Sequence, residues 1–120
     1  MFIILNIMRD LLWSKTEKDI ARKAYDEAYE EECKVVAARV KDLMAHLPEP
    51  RAVWTIHDFL SQRRREMDKK YDYRYSVLPL VFGNLVRRGR LRMEELSGLR
   101  EDKLKAIRSY VRLFDDADAA

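Results

Sequence analysis

Glycine and proline are scarce in this 120-residue chain, with three of each, and there is a single cysteine. Each scarcity excludes something. With so few turn formers the chain cannot build a sheet from many hairpins, and a few long helices remain. Cys33 alone can form no intramolecular disulfide and offers no thiol cluster to a metal, which fits a reducing cytoplasm. Long apolar runs are missing too. The opening FIILNIM falls well short of the ~20 residues of a membrane-crossing helix, with neither a basic segment before it nor a small-residue cleavage site after it. Met1 to Leu12 therefore reads as a loosely packed end, and the rest as one cytoplasmic, non-membrane domain.

What is present is charge. Hydrophobic residues make up 48% and charged residues 38%, the balance of a folded protein with a core. A net charge of +3 hides a polarised distribution: Arg63 to Arg92 holds ten basic and three acidic residues, whereas Ser14 to Glu32 holds four basic and seven acidic. Such a field steers partners of complementary sign.

Ser14-Lys15-Thr16-Glu17 is a capping box and should start a helix that nothing interrupts before Pro48. Tyr29, Cys33, Val36, Val40, Leu43 and Leu47 then follow the 4, 3, 4, 3, 4 alternation that lets helices lie along one another. Pro48-Glu49-Pro50 ends this helix, and Pro50 can open a second in an antiparallel hairpin. The exposed seam predicts a second copy of the chain.

The second helix, to about Asp72, contains VWTIHDFLSQRRREMDKKYDYRY. Val53, Ile56, Leu60, Met67 and Tyr71 share one stripe, the pattern of a buried face. Trp54, His57, Asp58, Ser61 and Arg65 lie roughly 130° from its centre. A large aromatic thus stands off the core face beside ionisable groups, where it is either a peripheral core residue or a protein contact. No hydroxyl or thiol nucleophile is tied to His57 and Asp58, and His46, His57 and Cys33 have no metal-ligand spacing, so neither an enzyme nor a metal or other cofactor is expected. Beyond it, Val77 to Phe82 is apolar on all sides, which suggests burial in a small second cluster, Pro79 must sit in a first turn or kink the helix, Gly89 is a stop, and Met93 to Leu96 is a short helical turn. Leu104, Ile107, Val111 and Phe114 mark a last helix that should fray through Asp115, Asp116 and Asp118.

Trp54-x-x-His57-Asp58-Phe59-Leu60-Ser61, with Arg64, Asp68, Lys70-Tyr71-Asp72, Arg74 and Ser76-Val77, resembles the fluorescence recovery protein family, the all-helical regulators of the orange carotenoid protein. The resemblance runs from about Trp13 to Ile107. It implies an all-α homodimer with an elongated helical-hairpin stem (residues 14–75) after an N-terminal extension (1–13), and a small C-terminal helical head with an acidic tail (76–120). It further implies that the protein binds the C-terminal domain of the orange carotenoid protein, or of a homologue, and speeds its return from the red to the orange form. Trp54, His57, Asp58, Arg64 and Phe82 match the partner-binding positions, and Leu80 stands where an aromatic is expected. Val53 matches an apolar dimer-contact position. With the periodicity, that assigns Val53, Ile56, Leu60, Val36, Val40 and Leu43 to the dimer interface. Two alternatives stand beside this reading: a homologous dimer serving another protein partner outside photoprotection, and a basic nucleic-acid-binding protein. The latter is disfavoured by interspersed acidic residues and the lack of a recognition-helix signature.

Overall fold

The structure, a computed structural model, describes residues 11–47 and 49–119. The reading of Met1 to Leu12 as a loose end falls largely outside them. The described residues form α1 (Lys15–His46), α2 (Ala52–Lys70), α3 (Leu78–Arg87), a 3-10 turn (Met93–Leu96) and α4 (Glu101–Ala119), with no strand among them. The molecule is long and thin, 53 × 37 × 22 Å.

The capping box forms as read. The Glu17 N–H donates to Ser14 Oγ at 3.2 Å and the Ser14 N–H donates to Glu17 Oε1 at 3.1 Å. Two free amides are thereby satisfied at once. Leu47 caps the other end, its N–H bonding the Leu43 carbonyl. Pro50 sits in the turn before α2 rather than inside it; Arg51 is the helical N-cap residue and makes no side-chain capping bond.

The buried face of α1 differs from the expected seam. Glu17, Ala21, Ala24, Ala28 and Glu32 are its buried residues, spaced 4, 3, 4, 4. Alanines let neighbouring backbone approach closely, and at Gly98 an added Cβ would lie 2.5 Å from Ile20 Cδ1. Gly98 also has φ 101°, a conformation that costs a side chain heavily. Of the heptad line, Val36, Val40 and Leu43 are half-buried, while Cys33 and Leu47 are exposed. Met67 and Tyr71 of the α2 stripe are buried and Ile56 is half-buried, but Val53 and Leu60 stay 54% and 40% exposed. The apolar stripe of α2 is therefore covered at its C-terminal end and open at its N-terminal end.

In the C-terminal part, Pro79 occupies the first turn of α3, where its missing N–H costs nothing. Leu78, Val81, Phe82 and Leu85 of α3 pack with Leu96, Leu99 and Ile107, and this cluster is continuous with Ala21, Ala24, Ala28, Met67 and Tyr71. At the end of α3 the Arg90 N–H reaches the Leu85 carbonyl at 2.9 Å and the Gly89 N–H reaches Val86 at 3.0 Å, the Schellman pattern with Gly89 at φ 72°. α4 does not fray at Asp115: it runs on to Ala119, through an alanine-rich end that favours helix.

Aromatic rings stitch the hairpin to the rest. Trp13, Tyr75, Tyr73, Tyr25, Tyr71 and Tyr29 follow one another with centroid separations of 5.4, 5.6, 4.8, 5.4 and 5.0 Å. Arg22 lies over the Tyr73 ring at 3.7 Å. Edge-to-face pairs at such distances contribute beyond the area they bury. The alternating Tyr71, Tyr73 and Tyr75 between α2 and α3 serve as this seam.

Candidate functional site

Trp54, His57 and Asp58 occupy one outward-facing turn of α2 near the tip of the hairpin. Trp54 is 68% exposed, and its ring meets that of His57 at 6.2 Å and 75°. His57 Nδ1 lies 3.4 Å from Asp58 Oδ1, a long contact between two exposed groups. An indole held in solvent beside an imidazole and a carboxylate presents apolar area and polar groups together, the composition of a protein-contact patch.

Arg64 stands apart from these three. It is ten residues beyond Trp54, about 15 Å along the axis, and its Nε donates to Asp68 Oδ1 at 3.1 Å. Its side chain borders a shallow groove of about 180 Å³ between α1 and α2, with Tyr29, Cys33, Val36 and Leu60. The structure therefore brings Trp54, His57 and Asp58 together and places Arg64 on the same helix beside the apolar seam.

Phe82 requires a correction. Expected at the partner contact, it is fully buried in the core. It follows Val81 on α3, and both are packed against α4 and the 3-10 turn, so its ring has no surface to offer. Leu80, where an aromatic was expected, is half-buried on the same helix.

Two buried carboxylates were not legible as such in the sequence. Glu17 Oε2 accepts the Arg100 N–H at 2.9 Å and its Oε1 lies 3.1 Å from Lys103 Nζ. Lys103 also reaches the Leu12 carbonyl and Asp102 Oδ2. Burial pushes the Glu17 carboxyl up, but the bonds from Arg100, Ser14 and Lys103 outweigh it and hold the pKa at about 2. Glu32 is the second: its Oε2 accepts Lys70 Nζ at 2.5 Å and its Oε1 accepts the Tyr71 hydroxyl at 2.7 Å. Burial raises this carboxyl as well, and the Lys70 and Tyr71 bonds bring it below its ordinary value. The Tyr71 hydroxyl is driven far up, first by burial and then by the carboxylate it bonds. A capping-box glutamate gives no local sign that it will also meet a lysine 86 residues on. The available clue was the spacing of Glu17 and Glu32 in register with three alanines.

These elements recur in known proteins. The family model of the photoprotection regulator fluorescence recovery protein matches residues 13–111. The chain belongs to that family. It is 37% identical over 101 residues to the fluorescence recovery protein of Synechocystis sp. (strain ATCC 27184 / PCC 6803 / Kazusa), covering 84% of this chain and 93% of that protein. Among solved structures, that of the Fremyella diplosiphon fluorescence recovery protein is similar at a TM-score of 0.76 with 42% identity, covering 84% of this chain and 99% of that one. The Synechocystis structure is similar at 0.76 with 36% identity and the same coverage.

As a member of that family the chain is a photoprotection regulator. The outward turn of Trp54, His57 and Asp58 lies within the matched residues, as do both buried carboxylates. No helix among the described residues is long and apolar enough to cross a membrane.

Proposed function

We propose that this member of the fluorescence recovery protein family acts as a homodimer that binds the C-terminal domain of the orange carotenoid protein, or of a homologue, and accelerates its reversion from the active red to the resting orange form. The observation that carries the partner reading is Trp54, 68% exposed beside His57 and Asp58. Speeding a conformational reversion requires no bond chemistry. It requires contacts that favour the barrier state over the starting state, and an indole with a neighbouring carboxylate can supply them.

The dimer reading is supported by an open apolar strip along the stem. Val35, Met44, Leu47, Val53 and Leu60 are exposed large hydrophobics in the single chain. A second copy would cover these, with the half-buried Val36, Val40, Leu43 and Ile56 beneath them. The stem of 14–75 and head of 76–120 are proposed as the dimerising and partner-orienting parts. Phe82 acts through the core of that head, not by contact.

The basic run reads as protein surface rather than a nucleic-acid site. Arg63 pairs with Glu66, Arg64 with Asp68 and Arg74 with Asp72, so much of its charge is already met locally. The test is to mix the protein with photoactivated orange carotenoid protein and follow red-to-orange relaxation in the dark. A faster decay supports the proposal; an unchanged decay with no complex on size exclusion sinks it.

A further inference from the structure

A concavity of about 220 Å³ lies between α1 and α2, with Arg90 of the turn after α3 in its lining. Val35, Val36, Phe59 and Met67 give it an apolar wall. Arg39, Arg63, Lys70 and Arg90 bring four cations to it against two carboxylates, Glu32 and Glu66, so the lining is positive by two charges. None of the partner-contact residues Trp54, His57, Asp58 or Arg64 lines it.

Both carboxylates are occupied. Glu32 is held by Lys70 and Tyr71, and Glu66 Oε2 accepts from Arg63 at 2.6 Å. Arg90 Nε stands 3.8 Å from Glu32 Oε1, an ion pair beyond hydrogen-bond reach. Arg39 turns to Asp42, outside the lining. A guanidinium carries five N–H donors in a fixed fork, so one carboxylate contact leaves donors for another. The Arg63 guanidinium also lies over the Phe59 ring at 5.3 Å, which places a donor plane directly beside the apolar wall.

We propose that this concavity binds a small amphipathic carboxylate: an organic acid with a compact apolar body and one carboxylate. The size argues for it. A dry cavity of ~150 Å³ accepts benzene, and the remainder accommodates a short carboxylate arm. The body rests on Phe59, Val36 and Met67, and the carboxylate takes the forks of Arg63 and Arg90, the geometry that favours carboxylate over a neutral group. The volume is below the range of about 300–1,000 Å³ for drug-sized ligands, so a single small molecule is the occupant. This site is independent of the carotenoid-protein reading, but through Val35 and Val36 it borders the strip that the dimer reading gives to a second copy.

The probe is 3-phenylpropanoate, titrated into the full-length ¹⁵N-labelled protein, with 3-phenylpropanamide as the uncharged control. The expected result is saturable shifts of the Val35, Phe59, Arg63 and Arg90 amides, with Kd on the order of 1 mM for so small a ligand. The amide should bind at least about tenfold more weakly. An Arg63→Gln/Arg90→Gln double variant, with unchanged helical circular dichroism, should lose the shifts. Equal binding of acid and amide, shifts mapping elsewhere, or unaltered binding by the variant overturns the assignment. Binding of acetyl-Leu-Glu-amide where the free acid gives no shift also overturns it, and makes the occupant an acidic side chain of a protein.

Discussion

Lys103 Nζ lies 3.1 Å from Glu17 Oε1, with both side chains essentially shut off from solvent. The pair ties the first turn of α1 to the first turn of α4. A buried ion pair is costly to desolvate and is retained only when its remaining donors and acceptors are met. Here Ser14, Arg100 and Leu12 meet them.

Removing one partner should therefore cost more than removing both. Glu17→Gln is expected to lower unfolding free energy by about 3 kcal/mol, whereas Glu17→Leu/Lys103→Met should recover part of that loss. Urea unfolding followed by circular dichroism measures both. The same group sets an acid limit. Its carboxyl titrates near 4.5 when free and at about 2 in the fold. Its contribution is complete above 4.5 and is lost as pH falls through 2. Helical signal should decline across that window in the native protein and show a flatter profile in Glu17→Gln.

Tyr71 sets an alkaline limit. Its hydroxyl titrates near 10 when free and well above that in the fold, because burial and the Glu32 carboxylate both favour the neutral form. Stability should be complete below 10 and fall as pH rises beyond it, since the unfolded chain then releases a proton the folded one keeps. Tyr71→Phe removes the donor to Glu32 and is expected to cost about 1–2 kcal/mol. In an absorbance titration of tyrosinate, one slow phase present in the native protein should be missing from this variant.

Gly83 is a packing position rather than a turn. A Cβ there would sit 2.5 Å from Tyr110 Cδ1 and 3.0 Å from Tyr110 Cβ. Gly83→Ala should destabilise by about 2 kcal/mol through overpacking, and Tyr110→Leu in the same chain should relieve part of it. Equal thermal midpoints for Gly83→Ala and the parent would contradict the α3–α4 contact.

On the stem, Val53→Glu is expected to yield monomers by light scattering without loss of helix, since Val53 is exposed in the single chain. Trp54→Ala should leave the thermal midpoint within a few degrees, as truncations of exposed side chains do, while abolishing acceleration of the carotenoid protein's relaxation. A Trp54→Ala protein with full activity removes that residue from the contact.

Much of the fold was legible because its signals are local. Ser14 and Glu17 announce a helix start, Pro48 and Pro50 a hairpin, and Gly89 a Schellman stop; each rests on backbone sterics or capping within a few residues. What was not legible depends on distant partners. Glu17 looks like a capping residue and nothing more, and Glu32 like a solvated charge, until Lys103, Lys70 and Tyr71 are brought to them. Ala21, Ala24 and Ala28 look like helix formers until another backbone lies against them. Trp54, His57 and Asp58 were legible as a turn of α2, because a helix converts spacing into direction. Phe82 was placed at the contact by the resemblance alone, whereas the run Val77 to Phe82, apolar on all sides, already pointed to the burial that α3 shows.

The union of Glu17 with Lys103 also dates the protein's completion. In translation, Glu17 emerges 86 residues ahead of Lys103, about 4–17 s earlier at ~5–20 residues/s. The α1–α2 hairpin can be made while the ribosome is still working, but its first turn waits for an ammonium 86 residues further on. A chain truncated before residue 103 keeps the Ser14 capping bonds of Glu17 but lacks the ammonium that completes them, so the start of α1 is finished only when α4 has been made.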